Sequence, residues 1–206
     1  MIAYASRAGT RRNLAALRAS GWRLMVSAKG VLRTEDFPYA LDNGAWWSHV
    51  NGRPFDEDAF MLAYEKLAAG ADFIVLPDVV SGGLESLKFS LRWRERLGAP
   101  RCLQMLAVQD GMEVRNVEPL VGPDLGIFVG GSTEWKEATM PLWGKVAARR
   151  NAWVHVGRVN TARRARLAAA SGMRSFDGSG PSRFQTALAV VDNARRQKDL
   201  FSCLIE

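Results

Sequence analysis

The chain has 206 residues, 48% of them hydrophobic and 24% charged, with a formal net charge of +7. That apolar content supports a full core and argues against disorder. The length suits one domain spanning residues 1–206, down to a compact (β/α)8 barrel. No apolar run reaches the ~18 residues of a membrane span, and "MIAYASRAGTRRN" lacks the apolar stretch of a signal peptide.

Cys102 and Cys203 give no disulfide framework, so a cytoplasmic protein is expected. With His49 and His155 they form no zinc pattern, and neither metal nor cofactor is expected.

Short apolar runs alternate with stretches of helical period. In chain order the predicted strands are Ile2–Ala5, Arg23–Ser27, Tyr39–Leu41, Phe73–Leu76, Cys102–Val108, Gly126–Val129, Trp153–Val156 and Arg174–Phe176. Helices are predicted over "RRNLAALRAS", which precedes Gly21, and over "FDEDAFMLAYEKLAAG", which opens on acids as a helix dipole prefers. "LESLKFSLRWRERLG" follows. "EWKEATMPLWGKVAARR" is interrupted by Pro141, which leaves its start open. "NTARRARLAAASG" and "SRFQTALAVVDNARRQ" complete the set, and Val31 to Pro38 reads as a loop. Strands joined by helical crossovers give an α/β protein, a (β/α)8 TIM barrel, with a doubly wound open sheet as the alternative.

Charge is segregated along the chain. From Met1 to Thr34 stand Arg7, Arg11, Arg12, Arg18, Arg23, Lys29 and Arg33 with no acid. From Lys145 to Arg174 stand eight more bases, Arg158, Arg163 and Arg164 among them, again with no acid. This favours a polyanionic partner over a set of solvated helix faces. In a barrel the first and last strands are neighbours, so the two regions would merge.

The residues that follow the strands carry the chemistry. They are Asp42-Asn43-Gly44, Asp78, Gln109-Asp110-Gly111, Gly130-Gly131-Ser132, Gly157-Arg158 and Asp177-Gly178-Ser179-Gly180. In a barrel these sites share the C-terminal face, where active sites are built. Turn formers and helix caps also end strands, but six coinciding sites with carboxylates at four ask for more. The residues alone leave open a metal cage, a glycosidase pair, or an acid and a nucleophile at a sugar carbon. Asp78, Gln109 and the Gly130-Gly131 backbone would suit a purine's edge and face. Arg158 and Arg183 follow the last strands, where this fold binds phosphate. His49 falls in a predicted loop, and His155, inside a strand, reads as a core or lumen residue. There is no Gly-X-Ser-X-Gly elbow, GxxxxGK[ST] loop or GxGxxG fingerprint.

At these residues the sequence resembles the tRNA-guanine transglycosylase superfamily, which exchanges guanine for a 7-deazaguanine on a (β/α)8 barrel. The family's catalytic segment has the form Gly-Val-Asp-Met-Phe-Asp-Cys-x-x-Pro-Thr-Arg, and Gly172-Met-Arg-Ser-Phe-Asp177-Gly-Ser-Gly-Pro-Ser-Arg183 looks like it. "LDNGAW" resembles Asp-Ser-Gly-Gly-Phe, "LAVQDG" resembles Val-Gln-Gly, and "HVGRVN" resembles the Gly-Val-Gly-Thr-Pro-Glu step. "LPDVV" and "FVGGS" fall at the family's base-reading aspartate and paired glycines.

The resemblance implies Asp177 as nucleophile and Asp42 as the second catalytic carboxylate. It implies base contacts from Asp78, Gln109, Gly130 and Gly131, flanked by Asn43 and Phe128. Arg158, Arg163, Arg164 and Arg183 would meet nucleic acid. The family's Cys-x-Cys-x-x-Cys…His zinc site has no counterpart, and the chain is far shorter than the tRNA enzymes. This form resembles the phage and bacterial DNA 7-deazaguanine transglycosylases. The expected substrates are therefore guanine-containing DNA and a free, preQ0-like 7-deazaguanine base, with Trp46, Trp47 or Phe128 available to stack on an extruded base. The alternatives are action on tRNA, hydrolysis of a deazapurine nucleoside, and a non-catalytic nucleic-acid-binding barrel.

Overall fold

The computed structural model describes residues 1–6 and 10–197. Arg7 and Cys203 lie outside the described residues. The strands are β1 (Ile2–Ser6), β2 (Arg23–Ser27), β3 (Tyr39–Asp42), β4 (Phe73–Val75), β5 (Leu103–Val108), β6 (Leu125–Val129), β7 (Val154–Val156) and β8 (Ser175–Gly178). All pair in parallel with their sequence neighbours, and β8 pairs with β1, so the sheet closes into a barrel. This is the (β/α)8 fold, and the open-sheet alternative is set aside by the β1–β8 ladder, in which Tyr4 faces Asp177.

The helices are α1 (Arg11–Ala19), α2 (Ala45–Val50), α3 (Glu57–Leu67), α4 (Gly83–Leu97), α5 (Val114–Val117), α6 (Thr133–Arg150), α7 (Ala162–Ala170), α8 (Gly180–Arg183) and α9 (Gln185–Arg196). Their starts follow side-chain caps. The Thr10, Asp56, Ser132 and Thr161 side chains accept hydrogen bonds from the backbone N–H of Asn13, Ala59, Trp135 and Arg164.

Three details differ from the sequence expectation. Helix α6 runs unbroken through Pro141. The proline forfeits one backbone bond, yet Met140, Trp143, Val146 and Ala147 bury an apolar face on both sides of it, and packing outweighs the loss. His49 lies in helix α2 rather than in a loop. The last expected helix is split at Phe184, whose extended backbone (φ −131°, ψ 120°) separates α8 from α9.

Two apolar layers follow from strand alternation. One set of side chains fills the barrel: Tyr4, Met25, Ala40, Phe73, Val75, Met105 and Ala107, with Phe128 and Trp153 against them. The other set, including Leu24, Leu41, Ile74, Leu106, Ile127, Val156 and Phe176, packs outward on the helices. At the N-terminal end the Arg23 guanidinium meets Asp72 at 2.6 Å, and the Tyr4 hydroxyl donates to the same carboxylate at 3.0 Å. The opposite end is open.

Candidate active site

The alternation that builds the lumen also aims the polar residues. Ala40 points inward, so Asp42 does too; Phe128 precedes Gly130, and Ser175 precedes Asp177 at the same spacing of two. At the C-terminal mouth these positions open on a cleft of about 810 Å3. Its lining includes Asp42, Asn43, Asp78, Gln109, Phe128, Gly130, Gly131, Arg158, Asp177 and Arg183. Arg163 and Arg164 do not line it. They ion-pair with Glu137 of α6, Arg164 at 2.8 Å.

Each carboxylate has its own setting. Asp42 ends β3, accepts from the Gly44 N–H at 3.1 Å and is hydrogen-bonded to the Ser27 side chain. Burial raises its pKa from 3.8 to about 6, and Asp177 nearby pushes the same way. Asp78 is likewise raised to about 6, chiefly by burial, with Asn43 opposing the shift. Two groups near 6 can take up or release a proton close to neutral pH. Asp110 is different: it accepts from both the backbone and the hydroxyl of Ser132, which hold its pKa below the ordinary value against burial.

The amides are engaged. Asn43 donates to the Leu76 carbonyl and to Asp78, each at 2.7 Å, and accepts from the Ala45 N–H, so it holds Asp78 in place. Gln109 accepts from the Ser81 N–H at 2.7 Å and donates to the Val79 carbonyl at 2.9 Å, pinning the segment between β4 and α4. The Gly130 N–H donates to the Val108 carbonyl. Gly131 has φ +76°, and a Cβ there would stand 2.5 Å from an Asp110 oxygen, so only glycine fits. Its carbonyl accepts from Arg158, whose guanidinium lies 4.2 Å over the ring of Trp46. Trp46, 47% exposed, lines the cleft, whereas Trp47 stacks with Lys29 and is not among the lining residues. Arg183 is exposed at the rim.

Two partners of Asp177 escape a reading of strand ends. His155, fully buried in β7, places Nε2 3.1 Å from Asp177 Oδ1 and Nδ1 2.9 Å from Ser175 Oγ. Lys136, 1% exposed in the first turns of α6, donates to the Gly157 carbonyl at 2.6 Å. Burial lowers its pKa to about 8, aided by Arg158 and opposed by Asp177. The inward alternation Trp153, His155, Gly157 could have flagged the histidine; Lys136 left no comparable signal. Among the described residues no three His, Cys, Asp or Glu side chains are grouped to hold a metal ion.

Fold and cleft together define a (β/α)8 barrel whose C-terminal mouth gathers four carboxylates, Asp42, Asp78, Asp110 and Asp177, with a basic rim. No protein-family model matches the sequence, and no curated protein matches it.

Proposed function

We propose that the protein is a base-exchanging transglycosylase that replaces guanine in DNA with a 7-deazaguanine. The observation that carries the reading is the convergence of Asp42, Asp78 and Asp177 on one cleft, in the arrangement the sequence resemblance assigns to proton handling, base reading and attack. A volume of about 810 Å3 suits a nucleotide.

In the first half-reaction an Asp177 carboxylate oxygen forms a bond to C1′ of a deoxyguanosine, and the C1′–N9 bond breaks. Protonated Asp42 gives its proton to the departing guanine. In the second half a 7-deazaguanine yields its N9 proton to Asp42, and N9 displaces Asp177 from C1′. Atoms and protons balance over the cycle, and the covalent ester keeps the glycosyl bond energy. A pKa near 6 suits Asp42 to both directions of transfer. Asp78, ionised above about pH 6, would accept from the purine N1–H and exocyclic amine. Arg158 and Arg183 offer charge for the phosphates on either side of the target.

The test supplies DNA, tRNA and free nucleosides in parallel with a radiolabelled base, followed by mass analysis of the product nucleosides. Incorporation into DNA that disappears in a folded Asp177→Ala variant, with a covalent enzyme–DNA adduct trapped under denaturing conditions, is the expected result. Wild-type rates in that variant refute the role of Asp177. Turnover of tRNA or nucleosides alone refutes the DNA assignment.

A further inference from the structure

Behind Asp177 a chain of hydrogen bonds runs back into the barrel. Trp153 Nε1 donates to Ser175 Oγ at 2.9 Å, Ser175 Oγ meets His155 Nδ1 at 2.9 Å, and His155 Nε2 meets Asp177 Oδ1 at 3.1 Å. The β7–β8 register, which sets His155 opposite Ser175, brings them together.

Both ends of the chain fix its direction. An indole N–H can only donate, so Ser175 Oγ accepts from Trp153. Ser175 is fully buried, and its hydroxyl hydrogen needs an acceptor, which Nδ1 supplies. At the other end a carboxylate only accepts, so Nε2 carries the hydrogen.

The ring has little freedom to do otherwise. It stacks on Phe128 at 4.8 Å and 21°, and meets the edges of Phe73 and Tyr4 at 5.1 and 5.7 Å. Gly157 leaves the space: a Cβ there would stand 2.9 Å from Phe128 and 3.4 Å from Asp177 Oδ1. The charged groups nearby are Asp177, which favours the imidazolium, and Lys136 from α6, which opposes it. Burial outweighs the carboxylate and holds the His155 pKa below its ordinary value.

We propose that His155 is a positioning residue for Asp177: as the neutral Nε2–H tautomer it holds Oδ1 and leaves Oδ2 as the attacking oxygen. Oδ2 accepts no hydrogen bond from any described residue. No proton leaves the imidazole during turnover. Its contribution is to fix the rotation of the carboxylate plane without cancelling its charge. The inference rests on the base-exchange reading for its consequence, but its geometry can be tested without activity.

The first experiment is nitrogen NMR of the histidines, with His155 identified by signals lost in His155→Gln. Pyrrole-like Nε2 and pyridine-like Nδ1 shifts are expected; an Nδ1–H tautomer or an imidazolium at neutral pH overturns the proposal. The second compares His155→Leu and His155→Gln in single-turnover adduct formation, base affinity and thermal melting. Leucine removes the donor, and adduct formation should slow on the order of 10–100-fold with base affinity unchanged. Glutamine can still donate and should recover most of the rate.

A leucine variant at wild-type rate overturns the role. So does equal slowing in both variants, since ring shape rather than the donor would then matter. If the leucine variant does not fold, Ser175→Ala takes its place, with a loss of roughly threefold to tenfold and a mixed tautomer expected. Wild-type rate with an unchanged tautomer in that variant would refute the chain. If the wild type forms no adduct with any nucleic acid, base exchange fails, and the tautomer alone decides the contact.

Discussion

Replacing Asp42 by asparagine should make the protein more stable and inactive at once. Burial raises the folded-state pKa of Asp42 from 3.8 to about 6. Between those values the folded state holds a proton that the unfolded chain releases. Stability from this group is therefore fully present below about pH 4, falls as pH rises toward 6, and stays reduced above. The interval amounts to about 3 kcal/mol, an upper figure because Asp177 shares in the shift. Asparagine keeps an acceptor for the Gly44 N–H and carries no charge to desolvate. For a domain of this size the gain translates into a melting temperature about 5–10 °C higher at pH 8. At pH 4, where the aspartate is already protonated in the fold, the two proteins should melt together. Scanning calorimetry at both pH values, alongside the base-exchange assay, checks this. An Asp42→Asn protein that melts no higher than wild type at pH 8, or gains equally at pH 4, would show that the carboxyl is not desolvated.

The arginines should separate by location. Arg183→Ala, at the exposed rim of the cleft, should weaken DNA binding and reduce the salt slope by roughly one. Arg163→Ala, held by Glu137 away from the cleft, should leave the slope unchanged; fluorescence anisotropy across a salt series distinguishes them. Gly157→Ala drives a methyl into Phe128, at 2.9 Å, beneath Asp177. It should cost about 1–3 kcal/mol by denaturant titration and slow adduct formation at least tenfold. An alanine variant with normal rate would mean that the Phe128–His155 stack does not govern the carboxylate.

Much of this architecture is local in origin and so was legible. A run such as "FIVLP" closed by Asp78, or "YAL" closed by Asp42, marks a strand and its polar end within six residues. All eight strands fall within about two residues of expectation. What stayed hidden depends on pairing between strands or between helices. Nothing near His155 in sequence says that Ser175 and Asp177 stand beside it; the β7–β8 register does. The amides of Asn43 and Gln109 look available in sequence, yet the loops they brace consume them. Pro141 reads as a helix breaker, and only the buried face around it shows why α6 continues.

The ladder between β1 and β8 has a consequence for how the protein comes into being. Tyr4 pairs with Asp177, so residues near the first and last parts of the barrel must meet before the ring closes. A nascent chain shorter than about residue 178 has no complete site, and β1 and β7 would each present a bare edge able to pair with another chain. Such long-range closure is slow compared with the hairpin-sized steps before it. Ribosome-stalled or proteolytically trimmed fragments should therefore be inert and prone to aggregate. Asp177 arrives with the strand that seals the fold, so the attack proposed for it is out of reach of every partly made molecule.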